Sequence, residues 1–215
     1  MFENKKQLVF TILAGIFITN AVVAELIGGK LIQIGPFVMS IGILPWPIVF
    51  LTTDLINEYF GQKGVKKLSY ITAGLIAYAF LILTLAILVP AAKGISPVND
   101  DQFIAVFGQS MWIIIGSIIA FLFSQLIDVM VFHYVKEKTG GKKIWLRSTG
   151  STVISQLIDS FVVLGIAFWL PGKMDFPTFI TSALTGYTFK LCVAVALTPV
   201  IYLGHNLIQN YLKDS

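Results

Sequence analysis

Apolar residues run along this chain in long stretches rather than in the half-apolar or alternating patterns of soluble domains. A helix needs about 20 such residues to cross a hydrocarbon core about 30 Å thick. Six stretches are long enough, at about residues 8–26, 36–57, 68–89, 107–135, 149–170 and 178–207. The pattern predicts an all-α integral membrane protein with six transmembrane helices, forming a single transmembrane domain over residues 1–215. Pro45 and Pro47 predict a kink in the second span.

The composition supports a membrane protein and excludes several soluble classes. Of the 215 residues, 56% are apolar and only 12% are charged, about half of the roughly 25% usual in soluble domains. A soluble enzyme, a nucleic-acid binder or a secreted disulfide scaffold would need more polar surface. Cys192 is the one cysteine, which excludes an intrachain disulfide and a Cys-based metal cluster. We expect no metal, no cofactor and no nucleic-acid partner.

The positions of the lysines and arginines predict the orientation, because short cytoplasmic loops carry an excess of positive charge. With both termini inside, three cations lie outside, at Lys30, Lys93 and Lys173, and Lys190 falls within a span. The other eleven lie inside: Lys5, Lys6, Lys63, Lys66, Lys67, Lys136, Lys138, Lys142, Lys143, Arg147 and Lys213. The sequence therefore predicts a membrane protein with both termini in the cytoplasm.

Ionisable residues within the spans are the main functional signal, since each costs about 2.5–3.5 kcal/mol on insertion scales. They are Asp54 and Glu58 in the second span, Asp128 in the fourth, Asp159 in the fifth and Lys190 in the sixth. At about 1.5 Å per residue, the three aspartates and the lysine have similar depths. We expect them to share one polar cavity.

A repeated pentapeptide places more polar groups at this depth. The pentapeptide Ser-Gln-Leu-Ile-Asp occurs at 124–128 and again at 155–159. Serine and aspartate at i and i+4 share a helix face, and glutamine lies on its flank. Each copy thus offers a hydroxyl, an amide and a carboxylate, which adds Gln125 and Gln156 to the candidate residues.

Structural interpretations compete with these functional ones. Asp128 and Asp159 could form an interhelical clasp that only fixes packing, and Asp54, Asn57 and Glu58 could form a polar helix end. Lys190 is interpreted as a counter-ion for an aspartate or as a ligand contact, and the two roles do not exclude each other. Asn20 and Trp46 are open between packing and ligand binding, whereas His133, near the inner interface, is interpreted as structural.

The same residues resemble a known family. The stretch 50–61 (FLTTDLINEYFG) resembles the signature of the vitamin uptake transporter family, as do Ser-Gln-Leu-Ile-Asp-Val at 124–129, Phe-His at 132–133 and Trp-Leu-Arg at 145–147. The similarity continues through 151–159, Phe-Lys at 189–190 and 198–202 (TPVIY). The first span matches loosely, through Asn20 and the polar end from Glu25 to Lys30.

This resemblance implies a transporter of queuosine precursors, the 7-deazaguanine bases in cyano or aminomethyl form or queuine, for salvage into transfer RNA. It implies no enzyme activity and no catalytic residue. The substrate-binding residues carried over are Asp54, Asn57, Glu58, Gln125, Asp128, Gln156, Asp159 and Lys190, with Asn20 as an addition. Partners are then a small-molecule base and the lipid bilayer, and the oligomeric state is left open.

The chemistry suits such a ligand. A deazaguanine presents a ring N–H beside an exocyclic amine, which one carboxylate can accept together, and its carbonyl accepts from an amide or ammonium. We expect Asp128 or Asp159 to accept the N–H groups and Gln125, Gln156 or Lys190 to donate to the carbonyl. Another acid would balance an aminomethyl cation.

Three other functions compete with this interpretation. A substrate-binding subunit of an energy-coupling-factor transporter also has six spans but needs a separate coupler and two ATPases. An intramembrane aspartyl protease would use a pair of aspartates, although the sequence has no Gly-x-Gly-Asp motif. A proton or cation channel would use rings of carboxylates.

Overall fold

The computed structural model describes residues 4–35, 37–140 and 143–213. Seven α-helices and one β-hairpin follow one another along this part of the chain. In order they are α1 (Lys5–Ile27), β1 (Leu31–Ile34), β2 (Phe37–Ser40), α2 (Trp46–Ile87), α3 (Asp100–Phe107), α4 (Met111–Lys138), α5 (Ile144–Leu164), α6 (Phe176–Ala196) and α7 (Thr198–Lys213). A short 3₁₀ turn at Ile41–Ile43 precedes α2, and a π-helical turn at Gly165–Trp169 extends α5.

Polar side chains begin several of the helices. The Asn4 side chain accepts from the Gln7 amide at 2.9 Å at the start of α1. Asn99 and Gln102 form a reciprocal capping box before α3. At the start of α6 a hydrogen bond from Thr178 lowers the pKa of the Asp175 carboxyl. Such caps satisfy amide groups that have no partner within the helix, so they fix where these helices start.

α2 contains one residue that is not helical. Its 42 residues would form a rod of about 63 Å, twice the thickness of a hydrocarbon core. Gly61 interrupts it with φ 74° and ψ 176°, a backbone conformation that is essentially restricted to glycine. α2 therefore consists of two helical segments, 46–60 and 62–87, joined at Gly61.

Contacts at the two ends of α1 show where these segments lead. The Phe10 ring packs edge-on against Phe60 at 5.1 Å, near the start of α1. The Gln109 side chain, just before α4, donates to the backbone oxygen of Glu25 near the end of α1 at 2.9 Å. We call the end of the bundle with the Phe10–Phe60 contact the basic end; it also holds Lys136. We call the opposite end, with the Gln109–Glu25 contact, the hairpin end, because it holds β1 and β2. The chain thus leaves Gly61 at the basic end and reaches α4 at the hairpin end.

Within the described part of the chain, five helical regions are long and apolar enough to cross a membrane, judged by length and composition: Lys5–Ile27, Ile41–Ile87, Asp100–Lys138, Ile144–Trp169 and Phe176–Ala196. Large apolar side chains such as Leu81, Leu88 and Phe123 point outward, as expected where lipid rather than water surrounds the protein. The prediction of a helical integral membrane protein is confirmed at this level, with a small β-hairpin that the apolar pattern did not predict.

Several predicted boundaries are wrong. The second span was expected from residue 36, but Phe37–Ser40 forms β2 and the helix begins at Trp46; Pro36 lies outside the described residues. The expected proline kink is absent from α2 as described, because Pro45 caps the helix and Pro47 lies in its first turn, where proline is tolerated. The predicted sixth span, 178–207, is divided at Leu197 into α6 and α7.

An apolar core holds α1, α2 and α4 together. Phe17 and Phe121 are fully buried, with ring centroids 6.2 Å apart, and Trp46 packs on Phe121 at 5.9 Å. α4 and α5 run side by side; a Cβ on Gly116 would lie 3.2 Å from the backbone nitrogen of Ala167. The absence of a side chain there lets the two helices approach closely, which places the polar residues of α4 and α5 opposite each other.

Candidate functional site

The repeated pentapeptide lies on two adjacent helices but is not used symmetrically. Ser155, from the second copy on α5, donates to Oδ1 of Asp128 on α4 at 3.1 Å. Its counterpart Ser124 donates instead to the backbone of Phe121 at 3.1 Å. Ser151 and Thr152 also lie against Asp128. Hydroxyl groups of α5 therefore surround the Asp128 carboxyl, which is 5% exposed.

Asp54 on α2 is a second buried acid, near Asp128. Its Oδ2 accepts a hydrogen bond from the Ser148 hydroxyl on α5. Its Oδ1 has no hydrogen-bond partner among the described residues, although the side chain is buried. Asp128 is near enough to interact with Asp54 electrostatically. The structure thus brings together two of the predicted residues, Asp54 and Asp128.

Asn57 lies one turn after Asp54 on α2 and is fully buried. Its Oδ1 lies 2.9 Å from Nε2 of His133 on α4, which donates to it. The Asn57 amide nitrogen Nδ2 has no partner within the described part of the chain. A hydrogen-bond acceptor and a hydrogen-bond donor are thus left unsatisfied on consecutive turns of one helix.

Amide side chains extend this polar surface. Gln125 is buried, and its Oε1 accepts from the Thr53 hydroxyl at 3.3 Å. Gln156 on α5 is also buried. Both glutamines are therefore buried, as expected from the sequence. Their contact with a ligand stays a prediction.

Glu58 joins three helices at the basic end. Its carboxylate binds Arg147 of α5 at 2.8 Å and Lys136 of α4 at 2.9 Å. Arg147 is 2% exposed and packs over the Phe132 ring at 5.6 Å. Arg147 was expected in a cytoplasmic loop but lies in the first turn of α5, where it is buried because Glu58 neutralises it. This ion-pair network lies next to Asp54 and Asn57, toward the basic end.

Asp159 and Lys190 form a separate pair between α5 and α6. Lys190 Nζ lies 2.5 Å from Oδ2 of Asp159, with 18% and 14% of the side chains exposed. This is the counter-ion arrangement, one of the two roles expected from the sequence. Asp159 follows Ser155 by one turn, about 6 Å closer to the hairpin end. Buried Glu25 of α1 is near enough to both to interact electrostatically.

Not every expected residue joins these groups. The Asn20 amide donates to the backbone of Ile16 at 2.8 Å, a hydrogen bond within α1 itself. A cavity of about 330 Å³ lies between the end of α2 and α3, lined by residues including Val89, Asp100 and Phe103. It contains none of the predicted site residues. Asp54 and Asp128 lie near each other and form an inner group, and Asp159 forms a second group with Lys190; a cavity shared by the two groups stays a prediction.

Sequence reasoning missed three groups that the structure places at the site: Ser148, Arg147 and Glu25. His133 was considered structural but contacts Asn57. Arg147 and Ser148 follow Lys142 and Lys143, so they appeared to belong to the loop. The usable signal was the sequence Trp-Leu-Arg at 145–147, one turn before the polar residues of α5. Across the described residues, no group of three or more metal-ligating side chains is present.

These features define a helical membrane protein whose polar groups are collected between helices instead of facing lipid. The chain belongs to the family described as "Putative vitamin uptake transporter", whose sequence pattern it matches over residues 40–204. The match includes α2 and α4 to α6, the helices that supply Asp54, Asp128, Asp159 and Lys190.

Curated relatives agree with this membership. The chain is similar to a "Probable queuosine precursor transporter" of Bacillus subtilis, with 28% identity over 190 residues, 86% of this chain and 80% of that protein. It is also similar to the "Queuosine precursor transporter" of Escherichia coli, with 25% identity over 179 residues, 80% of this chain and 76% of that protein. No solved structure matches the chain significantly.

Proposed function

We propose that this protein imports queuosine precursors, the 7-deazaguanine bases, across the cell membrane of a prokaryote. The observation that carries the proposal is the set of buried polar groups joining α2, α4 and α5 inside an otherwise apolar chain, with Asp54 and Asn57 each keeping an unsatisfied atom. Ionisable residues in membrane spans are costly and usually mark a substrate or ion pathway. The relatives named as queuosine precursor transporters support the same substrate class.

The proposed binding residues match the chemistry of such a base. Its ring N–H groups need an acceptor and its carbonyl needs a donor, which carboxylates and amides supply at this site. Asp159 and Lys190 lie one turn closer to the hairpin end, where they would face the substituent of the base. We assign the protein no catalytic step, because a carrier only has to bind, reorient and release its substrate.

We propose six spans with both termini in the cytoplasm. On this proposal the two segments of α2, 46–60 and 62–87, are separate spans, because the chain reverses direction at Gly61. The contact of Phe60 with Phe10 and that of Gln109 with Glu25 support the reversal. The excess of lysines and arginines at the basic end supports its assignment to the cytoplasm.

We further propose that the Glu58 network closes the cytoplasmic exit of the site. Its ion pairs join α2, α4 and α5, so helices that separate to release a base inward would have to break them. The inner acids are themselves packed against hydroxyls of α5. Binding and release therefore require movement of these helices, as expected for a carrier that opens alternately to the two sides.

Complementation tests the proposed function. The chain is expressed alone in bacteria that can neither make nor import the precursors, with the cyano base added, and queuosine in transfer RNA is assayed. We expect the chain alone to restore queuosine, since no coupler or ATPase is required. Absence of queuosine despite protein in the membrane would overturn the proposal, and restoration only with added ATPase subunits would favour the energy-coupling-factor alternative.

Two variants connect the complementation result to the site. We expect Asp128→Asn to abolish uptake while the protein stays in the membrane, because a neutral amide changes the donors and acceptors at the centre of the inner group. Ser69→Ala is the matched control: Ser69 is buried, and its hydroxyl bonds the backbone of Val65 within the same helix at 2.9 Å. Uptake that is equally high in both variants would contradict this site.

A further inference from the structure

The buried acids of this protein differ in how completely the protein itself satisfies them. Glu58 has two cations, Asp159 has Lys190, and Asp128 has a hydroxyl on Oδ1 with two more hydroxyls beside it. Asp54 keeps one oxygen without a partner among the described residues. The sequence favoured Asp128 or Asp159 as the acceptor for the base, but both have protein partners, which makes Asp54 the better candidate.

The partners of Asp54 and Asn57 determine which atoms stay available. Ser148 engages Oδ2 of Asp54, which leaves Oδ1 as an acceptor. His133 donates to Oδ1 of Asn57, which turns the amide so that Nδ2, a donor, is left over. Residues three apart on a helix share a face. One acceptor and one donor in a fixed order thus lie on the same face of α2.

We propose that Asp54 Oδ1 and Asn57 Nδ2 together read the lactam edge of the base, with His133 and Ser148 as positioning residues that fix the order of acceptor and donor. Asp54 accepts the ring N–H, and Asn57 donates to the adjacent carbonyl. This assignment rests on the proposed function and specifies the part of the substrate that the inner group recognises.

The cost of the arrangement supports a ligand rather than packing as its purpose. An unsatisfied buried polar group is destabilising by about 1–3 kcal/mol, and such groups are rare enough in folded proteins to require an explanation. A lactam has an N–H beside a C=O, so one base satisfies both atoms simultaneously. It does so without disturbing the bonds that Ser148 and His133 make.

Competition between two bases tests the assignment in proteoliposomes containing the full chain. Uptake of labelled 7-cyano-7-deazaguanine is inhibited by the unlabelled base or by its 2,6-diamino analogue, in which the carbonyl becomes an amine and the ring N–H becomes an acceptor. The analogue would place donor against donor and acceptor against acceptor. We expect the wild type to reject it by about 100-fold, measured as the ratio of the inhibitory concentrations.

His133 variants test positioning separately from stability. His133→Phe removes the donor to Asn57, so the amide can turn and present its oxygen to the analogue's amine; we expect the ratio to fall about tenfold. His133→Gln keeps an N–H donor and should retain the wild-type ratio. A purely structural role for His133 would instead lower the uptake of the labelled base and leave the ratio of inhibitory concentrations unchanged, and this result would overturn the assignment.

Asn57→Asp provides a second test that is valid even where His133→Phe yields no folded protein. It replaces the donor by an acceptor at the same size, and we expect the ratio to fall by about tenfold or more. An unchanged ratio in this variant would overturn the assignment.

If the wild type takes up the base but does not discriminate against the analogue, the assignment fails and the proposed function stands. If it takes up no base, both fail.

Discussion

Arg147 binds Glu58 across the interface of α5 and α2 at 2.8 Å while only 2% of Arg147 is exposed. The second cation on Glu58, Lys136, lies at 2.9 Å but is 30% exposed. The same carboxylate thus has one buried and one accessible partner. Because water can replace only the accessible one, the two cations should contribute unequally to stability.

We expect Arg147→Met to destabilise the protein more than Lys136→Met. Breaking a buried ion pair by removing one partner costs about 3–5 kcal/mol, whereas an exposed pair contributes about 1 kcal/mol or less. Thermal unfolding of the purified variants in one detergent measures the difference. Equal midpoints for the two variants, or a lower midpoint for Lys136→Met, would contradict the unequal roles.

Gly61 offers a second test because its backbone requires glycine. We expect Gly61→Ala to destabilise the protein by about 1–3 kcal/mol, since φ 74° with ψ 176° is strained for any residue with a Cβ. Gly74→Ala is the matched control within α2: its φ is not positive, and an added Cβ would meet nothing within 4 Å.

At Gly74 an alanine should be neutral or stabilising by up to about 1 kcal/mol, because alanine favours helix more than glycine does. Thermal unfolding of both variants in detergent provides the comparison. Equal tolerance of alanine at positions 61 and 74 would show that the break at Gly61 does not depend on glycine.

The sequence predicted the helices and their buried acids because both are local signals. Long apolar stretches gave α1, α4 and α5 to within a few residues, and carboxylates within such stretches had to lie in the interior. The sequence predicted a loop between the second span, 36–57, and the third, 68–89, but not its reduction to a break at Gly61, because a positive φ leaves no trace in the hydrophobic pattern. The kink was predicted from Pro45 and Pro47, although a proline in the first turn is equally compatible with the start of a helix.

The partners of the acids could not be predicted, because they depend on how helices pack. The Ser155 hydroxyl lies within hydrogen-bond distance both of Asp128 and of the Thr152 oxygen on its own helix, and only the packing of α4 against α5 makes the first contact available. Lys190 pairs with Asp159, but its position in the sequence alone could not distinguish Asp159 from Asp128 as its partner. The hairpin of β1 and β2 was hidden because its strands are as apolar as the neighbouring helices, so an apolar run alone did not distinguish strand from helix.

The proposed topology predicts which loops can be labelled from each side. Single cysteines are introduced at Ser96 or Lys63, both exposed, in a Cys192→Ser chain. We expect a membrane-impermeant maleimide to label position 96 in intact cells and position 63 only after permeabilisation, because the chain returns across the membrane after Gly61. Labelling of both positions from outside would contradict the reversal.

The pair of Lys190 and Asp159 permits a double-mutant cycle that separates stability from transport. Lys190→Met leaves a carboxylate between α5 and α6, and Asp159→Asn leaves an ammonium, so each single variant should unfold at a lower temperature. The double variant removes both charges. We expect it to be more stable than the sum of the single effects predicts, by about 0.5–3 kcal/mol.

Uptake in the same cycle shows what the pair does beyond packing. If Asp159 and Lys190 face the substituent of the base, the double variant regains stability but not transport of 7-cyano-7-deazaguanine. If the pair only joins two helices, transport returns with stability. The variants are therefore compared at equal amounts of folded protein in proteoliposomes, and recovery of full uptake in the double variant would remove both residues from the binding site.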